Sequence, residues 1–235
     1  MTRFGAGFIG GLSTPGNDAF TKILLHMDGS NGGTTFTDVA VGGAAKTWTP
    51  TNATTSTSSP KFGSASLVTS AGYVTTPDHA DFTLGSSDFT VDFWFNSNGT
   101  SGVVGLAGQM NSVGSTASAS IAISRTSGGL IFAEVHRPSG ISNFLSTTSV
   151  NGTSAWNHVA LVRSGTTLRL FINGIQEAST SIPDAVNDSS NNWSVGRIGD
   201  NTSFTASSCK FDEFRLSVGI ARWTSNFTPP VAAYS

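Results

Sequence analysis

The segment DFTVDFWF, residues 88–95, constrains the fold more than any other part of the sequence, because its apolar residues alternate with other residues. One parity is entirely apolar and consists of Phe89, Val91, Phe93 and Phe95. Side chains of a β-strand point alternately to its two faces, so the pattern predicts a strand with one fully apolar face. Such a strand has to bury that face against a second layer of structure.

Similar strand signals recur along the chain. The best hairpin joins 156–163 to 167–172, and a second tight turn is expected at Asn173-Gly174, a dipeptide that tolerates positive φ. Further strands are predicted near 62–69, 72–76, 118–125, 129–136, 141–148, 192–198 and 209–217. Helical periodicity is absent apart from a single turn expected at 218–223. The sequence therefore predicts an all-β fold, a two-sheet antiparallel β-sandwich.

The composition excludes several function classes. Charged residues make up 11% of the 235 residues, and the net charge is −2 with no run of Lys or Arg, so nucleic acid is not an expected partner. Apolar runs are all shorter than the ~20 residues of a membrane-spanning helix. The single cysteine, Cys209, excludes an intrachain disulfide and a zinc-binding cysteine motif.

Residues 1–20 form a separate, Gly-rich segment, which we interpret as a flexible N-terminal arm in front of a sandwich that covers residues 21–235. Its apolar residues are Phe4, Phe8, Ile9 and Leu12. They are too few to form a core, so the arm is expected to be mobile alone and to bury these residues on a partner. The alternative is an untethered terminus.

Several stretches together resemble a known family. They are ILLHMDGSNGGTTFTD (23–38), KFGSASLV (61–68), YVTTPDHADFTLGSSDFTVDFWF (73–95), WNHVALVRSGTTLRLFINGI (156–175), SVGRIG (194–199) and FDEFRLSVGIARWTSNFTPP (211–230). In this order they resemble the laminin-G-like jelly roll of the concanavalin A-like lectin/glucanase superfamily, over roughly residues 21–230. The resemblance implies two antiparallel sheets packed face to face, with variable loops at the rims.

A carboxylate in the last predicted strand needs an explanation. Asp212 shares its parity with Phe214 and Leu216, so simple alternation places it on the apolar side. The resemblance implies one answer, a structural calcium ion held by Asp28 and Asp212 between the first and last strands. The other answer is that Asp28 starts a Gly turn, while Asp212 accepts backbone hydrogen bonds or pairs with an arginine. Both interpretations stay open at this stage.

Sugar binding is a second candidate activity, because lectin sites stack a sugar on an exposed aromatic ring. Trp48 lies in a variable Thr- and Asn-rich loop and Trp193 precedes a strand, so these two are the candidate ligand contacts. The alternative is that each ring folds back onto its own scaffold. The loop 96–116 and the turn 184–192 are further candidates at the rim.

Enzyme activity is not expected. Glucanases of this superfamily carry their carboxylates in a Glu-x-Asp-x-x-Glu pattern along one strand. The three glutamates of this chain, Glu134, Glu177 and Glu213, do not form that pattern. The histidines have no evident nucleophile to activate, so no catalytic residues are assigned.

The resemblance also implies a biological setting. The C-terminal motif resembles modules of tailed-phage structural proteins and of some bacterial surface proteins. We therefore predict a non-enzymatic virion surface protein of a bacteriophage, a capsid decoration or tail-fibre component that binds other virion proteins through its arm and cell-surface glycans through its lectin-like domain. A homo-oligomer stays open. The alternative is a carbohydrate-binding adhesin module of a bacterial surface protein.

Overall fold

The computed structural model describes residues 16–111, 119–152, 155–200 and 204–235. The thirteen strands are β1 (Thr21–Leu25), β2 (Thr49–Ser56), β3 (Ser66–Thr76), β4 (Phe89–Asn96), β5 (Val104–Met110), β6 (Ala119–Arg125), β7 (Leu130–Arg137), β8 (Gly140–Ser149), β9 (Asn157–Ser164), β10 (Thr167–Ile172), β11 (Ile175–Ser181), β12 (Trp193–Val195) and β13 (Ala206–Val218). One 3₁₀ turn, Ala80–Phe82, is the only helical element in these ranges, and no helix there could cross a membrane. The all-β prediction is confirmed.

All pairings between strands are antiparallel, and hydrogen bonds connect the strands in the order β11-β10-β9-β4-β13-β3-β12-β5-β6-β7-β8, with β1 beside β13 and β2 beside β3. The two ends of this path lie against each other. Glu177 on β11 accepts hydrogen bonds from the backbone amides of Thr147 (2.8 Å) and Thr148 (2.9 Å) on β8. The path therefore folds over into two layers, as the sandwich prediction requires.

One apolar cluster fills the space between the layers. The alternating residues of β4 contribute to it, and Phe93 is fully buried, with its ring centroid 5.8 Å from that of Phe214 on β13. The facing layer contributes Ile121 and Ile123 of β6, which are also fully buried. Alternation in the sequence thus predicts the core-facing side of β4 correctly.

A β-bulge in β13 corrects the interpretation of Asp212. Asp212 pairs with Trp94 and Arg215 pairs with Asp92, so three steps along β13 oppose two steps along β4. The extra residue is Glu213, whose φ of +49° is unusual for a residue other than glycine. The bulge reverses the parity, so Phe214 faces the core while Asp212 and Arg215 lie on the opposite face. The prediction that Asp212 shares the apolar side is wrong.

The C-terminal segment, residues 219–235, covers that opposite face. It contains neither helix nor strand, and the helical turn expected at 218–223 is not formed. Trp223 and Phe227 stack in parallel at a centroid distance of 4.0 Å, and both contact the ring of His158 on β9 edge-on. Phe227 also donates its backbone N–H to Gly174 at 2.9 Å, an approach so close that a Cβ at Gly174 would collide with the Phe227 carbonyl.

A buried polar cluster lies beneath this segment. The carboxylate of Asp92 accepts a hydrogen bond from Arg215 at 2.9 Å, lies 3.3 Å from His158 Nε2, and accepts a hydrogen bond from the Tyr234 hydroxyl. All four side chains are buried. Burial alone would raise the pKa of Asp92, but the Arg215 charge and the His158 contact lower it to about 2.

Residues 16–20 belong to the sandwich rather than to the arm. The Gly16 carbonyl accepts a hydrogen bond from Arg215 at 3.0 Å, and Asp18 forms a two-pronged ion pair with Arg222 at 2.8 and 3.0 Å. These contacts disfavour an arm that extends to residue 20, and the arm itself stays a prediction. The arm residues Phe4, Phe8, Ile9 and Leu12 lie outside the described residues.

We predict that Phe93→Ala lowers the free energy of unfolding by about 3–5 kcal/mol, because truncating a fully buried phenylalanine loses its apolar burial and leaves a cavity. Urea denaturation measures the change. Phe20→Ala is the matched control, because Phe20 is 43% exposed and its truncation should have a much smaller effect. Equal losses for both variants would contradict the assigned core.

We also predict that Tyr234→Phe lowers the free energy of unfolding by about 1.5–3 kcal/mol, because it removes a hydrogen bond to the charged Asp92 while keeping the ring. Tyr73→Phe, at a half-buried position on β3, is the control for loss of a tyrosine hydroxyl. If Tyr234→Phe were as stable as the native protein, the C-terminal segment would not be held by this hydrogen bond.

Candidate functional site

Two carboxylates predicted to lie close together both bind the loop between β2 and β3. Asp28 Oδ1 accepts hydrogen bonds from the Ser64 amide (2.5 Å), the Ser64 hydroxyl (2.9 Å) and the Ala65 amide (3.2 Å). Asp212 Oδ2 accepts from the amides of Lys61 (2.8 Å) and Phe62 (3.2 Å). Asp28 and Asp212 thus tie one loop to the segment after β1 and to the middle of β13, as the hydrogen-bonding interpretation expects.

The electrostatics of this region are unusual. Burial raises the pKa of Asp212 to about 8, and its second oxygen, Oδ1, is buried without a hydrogen-bond partner. Beside it, Glu213 Oε1 lies 2.7 Å from His26 Nδ1, and this hydrogen bond raises the pKa of His26 although partial burial opposes the shift. The raised pKa of Asp212 favours its protonated form at neutral pH, and the raised pKa of His26 favours the protonated imidazole.

The residues present do not form a strong calcium site. Asp28 and Asp212 direct oxygens at backbone amides, and no three or more His, Cys, Asp or Glu side chains in the described ranges are grouped to hold a metal ion. A carboxyl group with a raised pKa is also a weaker calcium ligand, because it has to lose its proton before it binds the ion. Calcium binding at Asp28 and Asp212 therefore stays a prediction that this geometry disfavours.

Neither predicted tryptophan offers an open face for a sugar. Trp48 is 6% exposed and Trp193 is 0% exposed, and both rings belong to the main apolar cluster. The Trp193 ring lies 5.7 Å from that of Phe82. Ligand contact through Trp48 or Trp193 stays a prediction, but the burial of both rings favours the alternative that they pack against their own scaffold.

A polar depression at one rim of the sandwich is a stronger candidate for a binding site. It consists of two cavities of about 240 and 370 Å³ that share the loop residues Gly99, Thr100 and Ser101, which follow β4. Around these, the cavities are lined by Ser97, Asn98, Arg125, Ser127, Asn151, Gly152 and Ser208. The predicted rim loop 96–116 contributes residues 97–101, while residues 104–110 form β5 and residues 112–116 lie outside the described residues. We call this region the rim pocket.

The sequence folds this way locally because glycine and asparagine occupy the left-handed positions of the loop. Asn98 has φ of +46° and Gly99 of +79°, the conformation that these two residue types adopt most readily. The loop is held from below, since the Ser97 hydroxyl donates to the Gly152 carbonyl at 2.9 Å. Hydroxyl, amide and backbone groups therefore project from loops that are anchored to β4, β6 and β9.

One residue of the rim pocket could not be found from the sequence. Arg125, at the end of β6, is 2% exposed and lines the smaller cavity. Its guanidinium donates to the Gly102 carbonyl at 2.9 Å and to the Asn151 side-chain oxygen. No motif marks Arg125, and Asn151 begins only an Asn-x-Thr triplet that reflects the composition of the chain. The two residues are brought together because the β6–β7 turn meets the loop after β8.

We predict that Asp212 makes the protein less stable as the pH rises from about 4 to about 8, because its pKa of about 8 in the folded state compares with about 3.9 unfolded. Between these two pKa values the unfolded chain binds fewer protons than the folded chain, so raising the pH lowers the free energy of unfolding. Asp212→Asn should remove that loss. Urea denaturation from pH 4 to pH 9 measures it, with Asp28→Asn as the control.

The His26–Glu213 pair contributes a slope of the same sign, because a histidine with a raised pKa stabilises the fold at low pH and loses this effect as the pH rises through that pKa. Asp212→Asn leaves that slope in place. An unchanged pH profile for the variant would contradict a protonated Asp212.

Repeating the melts with a chelator and with added calcium checks the calcium prediction, because a bound ion would raise the melting temperature of the native protein alone.

Comparisons with known proteins agree with the sandwich. The binding domain of Paraclostridial Mosquitocidal Protein 1 superposes with a TM-score of 0.62 at 14% identity, over 86% of this chain and 49% of that one. The binding domain of botulinum neurotoxin serotype G gives 0.61 at 12% identity, over 88% and 48%. A botulinum neurotoxin type C structure gives 0.60 at 12% identity, over 88% and 49%.

This chain spans about half the length of those solved structures, and identities this low show a shared fold alone. A search of curated proteins finds no match. A laminin-G family model, described as the Concanavalin A-like lectin/glucanases superfamily, matches residues 68–218, which is more than half of the chain. The chain therefore belongs to the concanavalin A-like lectin/glucanase superfamily.

Proposed function

We propose that this chain is a non-enzymatic, lectin-like module that binds glycans in the rim pocket. The observation that carries the proposal is the lining of that pocket, where hydroxyl, amide and glycine backbone groups from separate loops converge on one open depression. Sugar hydroxyls are both donors and acceptors, and such groups can form hydrogen bonds with them. Loops held by a rigid frame are also the usual place for recognition.

The related folds are compatible with this proposal. Botulinum neurotoxin type C depends on interaction with two ganglioside molecules to enter cells, and a botulinum neurotoxin DC binding domain forms a complex with SialylT. These ligands belong to those proteins. For the present chain they support glycans as the class of molecule to test first.

A non-enzymatic role fits the positions of the glutamates. Glu177 is bound by Thr147 and Thr148, and Glu213 is bound by His26 and by the Tyr234 amide. Glu134 lies on β7, and burial raises its pKa. The three carboxyl groups thus lie on three strands with different surroundings, whereas glycoside hydrolysis uses two that flank one bond.

The biological setting that we propose is the surface of a bacteriophage virion, on the capsid or the tail. Its support is the C-terminal motif, whose residues here build the β13 bulge and the stacked Trp223–Phe227 pair. An adhesin module of a bacterial surface protein is the second candidate. Neighbouring genes separate the two, because capsid and tail genes favour the virion and secretion genes favour the adhesin.

We predict that the protein binds members of a glycan array and that Ser101→Trp abolishes this binding at an unchanged melting temperature, because the exposed Ser101 borders both cavities. Ser86→Trp is the matched control, since exposed Ser86 lies before β4, at the end away from the rim pocket. If no glycan bound, or if Ser101→Trp bound as well as the control, the proposed function would be wrong.

We predict that deleting residues 2–15 leaves the melting temperature unchanged but prevents incorporation into particles, because the proposed arm contacts other virion proteins. Deleting residues 2–18 should lower the melting temperature as well, since it removes the Asp18–Arg222 ion pair and the Gly16 contact to Arg215. Normal incorporation of the shorter deletion would contradict the arm as an attachment segment. Calorimetry and particle purification measure the two effects.

A further inference from the structure

Arg125 is a buried cation whose surroundings do not neutralise it. Its side chain is 2% exposed, and its guanidinium bonds two oxygens, the Gly102 carbonyl and the Asn151 side chain. A guanidinium carries five N–H donors, so three lack a partner among the described residues, including the buried Nε–H. Burying a charged group this way is unfavourable unless something completes its hydrogen bonds.

No Asp or Glu side chain of the protein accepts a hydrogen bond from Arg125. All 14 Asp and Glu residues lie within the described ranges, and none forms an ion pair with Arg125. The neighbouring Cys209 is no substitute, because burial raises the pKa of its thiol to about 11 and keeps it neutral at physiological pH. The positive charge of Arg125 is therefore not balanced from within the protein.

Four other arginines are buried in the described ranges, and three of them, Arg137, Arg197 and Arg215, pair with a carboxylate, although Arg137 and Arg197 also have a buried Nε without a partner. Arg215 pairs with Asp92 at 2.9 Å. Arg163 is equally buried and has no ion pair, but its guanidinium donates to four backbone carbonyls, those of Gly85, Gly165, Ile182 and Asp184. Arg125 has neither a carboxylate nor a full set of carbonyls, and unlike Arg163 it lines an open cavity.

We propose that Arg125 is the anion-binding residue of the rim pocket and that the pocket selects acidic glycans, whose carboxylate pairs with the guanidinium. This inference rests on the proposed function and deepens it by naming the class of sugar. The carboxylate would accept hydrogen bonds from the remaining N–H groups of the two terminal nitrogens, since a planar guanidinium matches a carboxylate fork. Ser127, Thr100 and Asn151 lie around the same cavity and would bind the hydroxyls of the sugar.

The test uses the whole chain and pairs of glycans that differ in one acidic sugar. Lactose and sialyllactose form one pair, and neutral and uronic acid oligosaccharides of equal length form the other. Titration calorimetry should show roughly tenfold or tighter binding of the acidic member, since a charged hydrogen bond contributes at least that much. Added salt should weaken this preference. The glycan pair that shows the preference identifies whether a sialic acid or a uronic acid supplies the carboxylate.

Two variants separate recognition from folding. Arg125→Gln should abolish the acidic preference, whereas Arg169→Gln, on β10, removes the same charge and should keep it. If Arg125→Gln does not fold, Ser127→Asp replaces it as the test. This exposed position lines the cavity beside Arg125, so an internal carboxylate should compete with the ligand and lower acidic-glycan affinity at least tenfold relative to the isosteric Ser127→Asn.

The outcomes distinguish the two proposals. Equal binding of acidic and neutral glycans by the native protein would overturn the role of Arg125 and leave the lectin function standing. Retention of the acidic preference in Ser127→Asp would overturn that role in the same way. Absence of binding to every glycan would instead overturn the lectin function on which the inference rests.

Discussion

The fully buried carboxylate of Asp92 is the interaction on which the rest of the structure depends. It sits on the outer face of β4 and receives Arg215 from β13, His158 from β9 and Tyr234 from the C-terminal segment. Arg215 also donates to the Gly16 carbonyl, so one charge joins the two ends of the described chain to the central strands. Removing one partner from such a cluster is strongly destabilising, because it leaves a buried charge without compensation.

The bulge at Glu213 makes this cluster compatible with an apolar core. Without the extra residue, the Arg215 side chain and the Phe211 ring would share one face of β13, and either the charge or the ring would be misplaced. With it, Phe211 faces the core and Arg215 faces Asp92. The displaced Glu213 side chain is used as well, since it binds His26 and the Tyr234 amide. One backbone irregularity therefore organises both faces.

Alternation predicted the core of β4 and the β9–β10 hairpin, because these strands have one uniformly apolar face. It missed β2 and β5, since TPTNATTS is polar and half exposed and VGLAGQM is interrupted by glycines. It also misplaced Asp212, because a bulge changes parity without any local sequence signal. Trp48 and Trp193 were candidates for a ligand because their segments look like loops, yet their rings are buried by residues distant in sequence.

Contacts between residues distant in sequence leave no local signal, which also explains why the sequence locates only part of the candidate site. Loop 96–116 was recognised as a rim element from its composition, but Arg125 and Asn151 reach it through strand pairing that no short motif encodes. What identifies Arg125 is a contrast between the buried arginines of the described ranges, since Arg137, Arg197 and Arg215 each pair with a carboxylate and Arg163 donates to four backbone carbonyls. Buried charged groups are normally paired or fully hydrogen-bonded, so this exception calls for an explanation. A ligand that carries its own negative charge accounts for that difference.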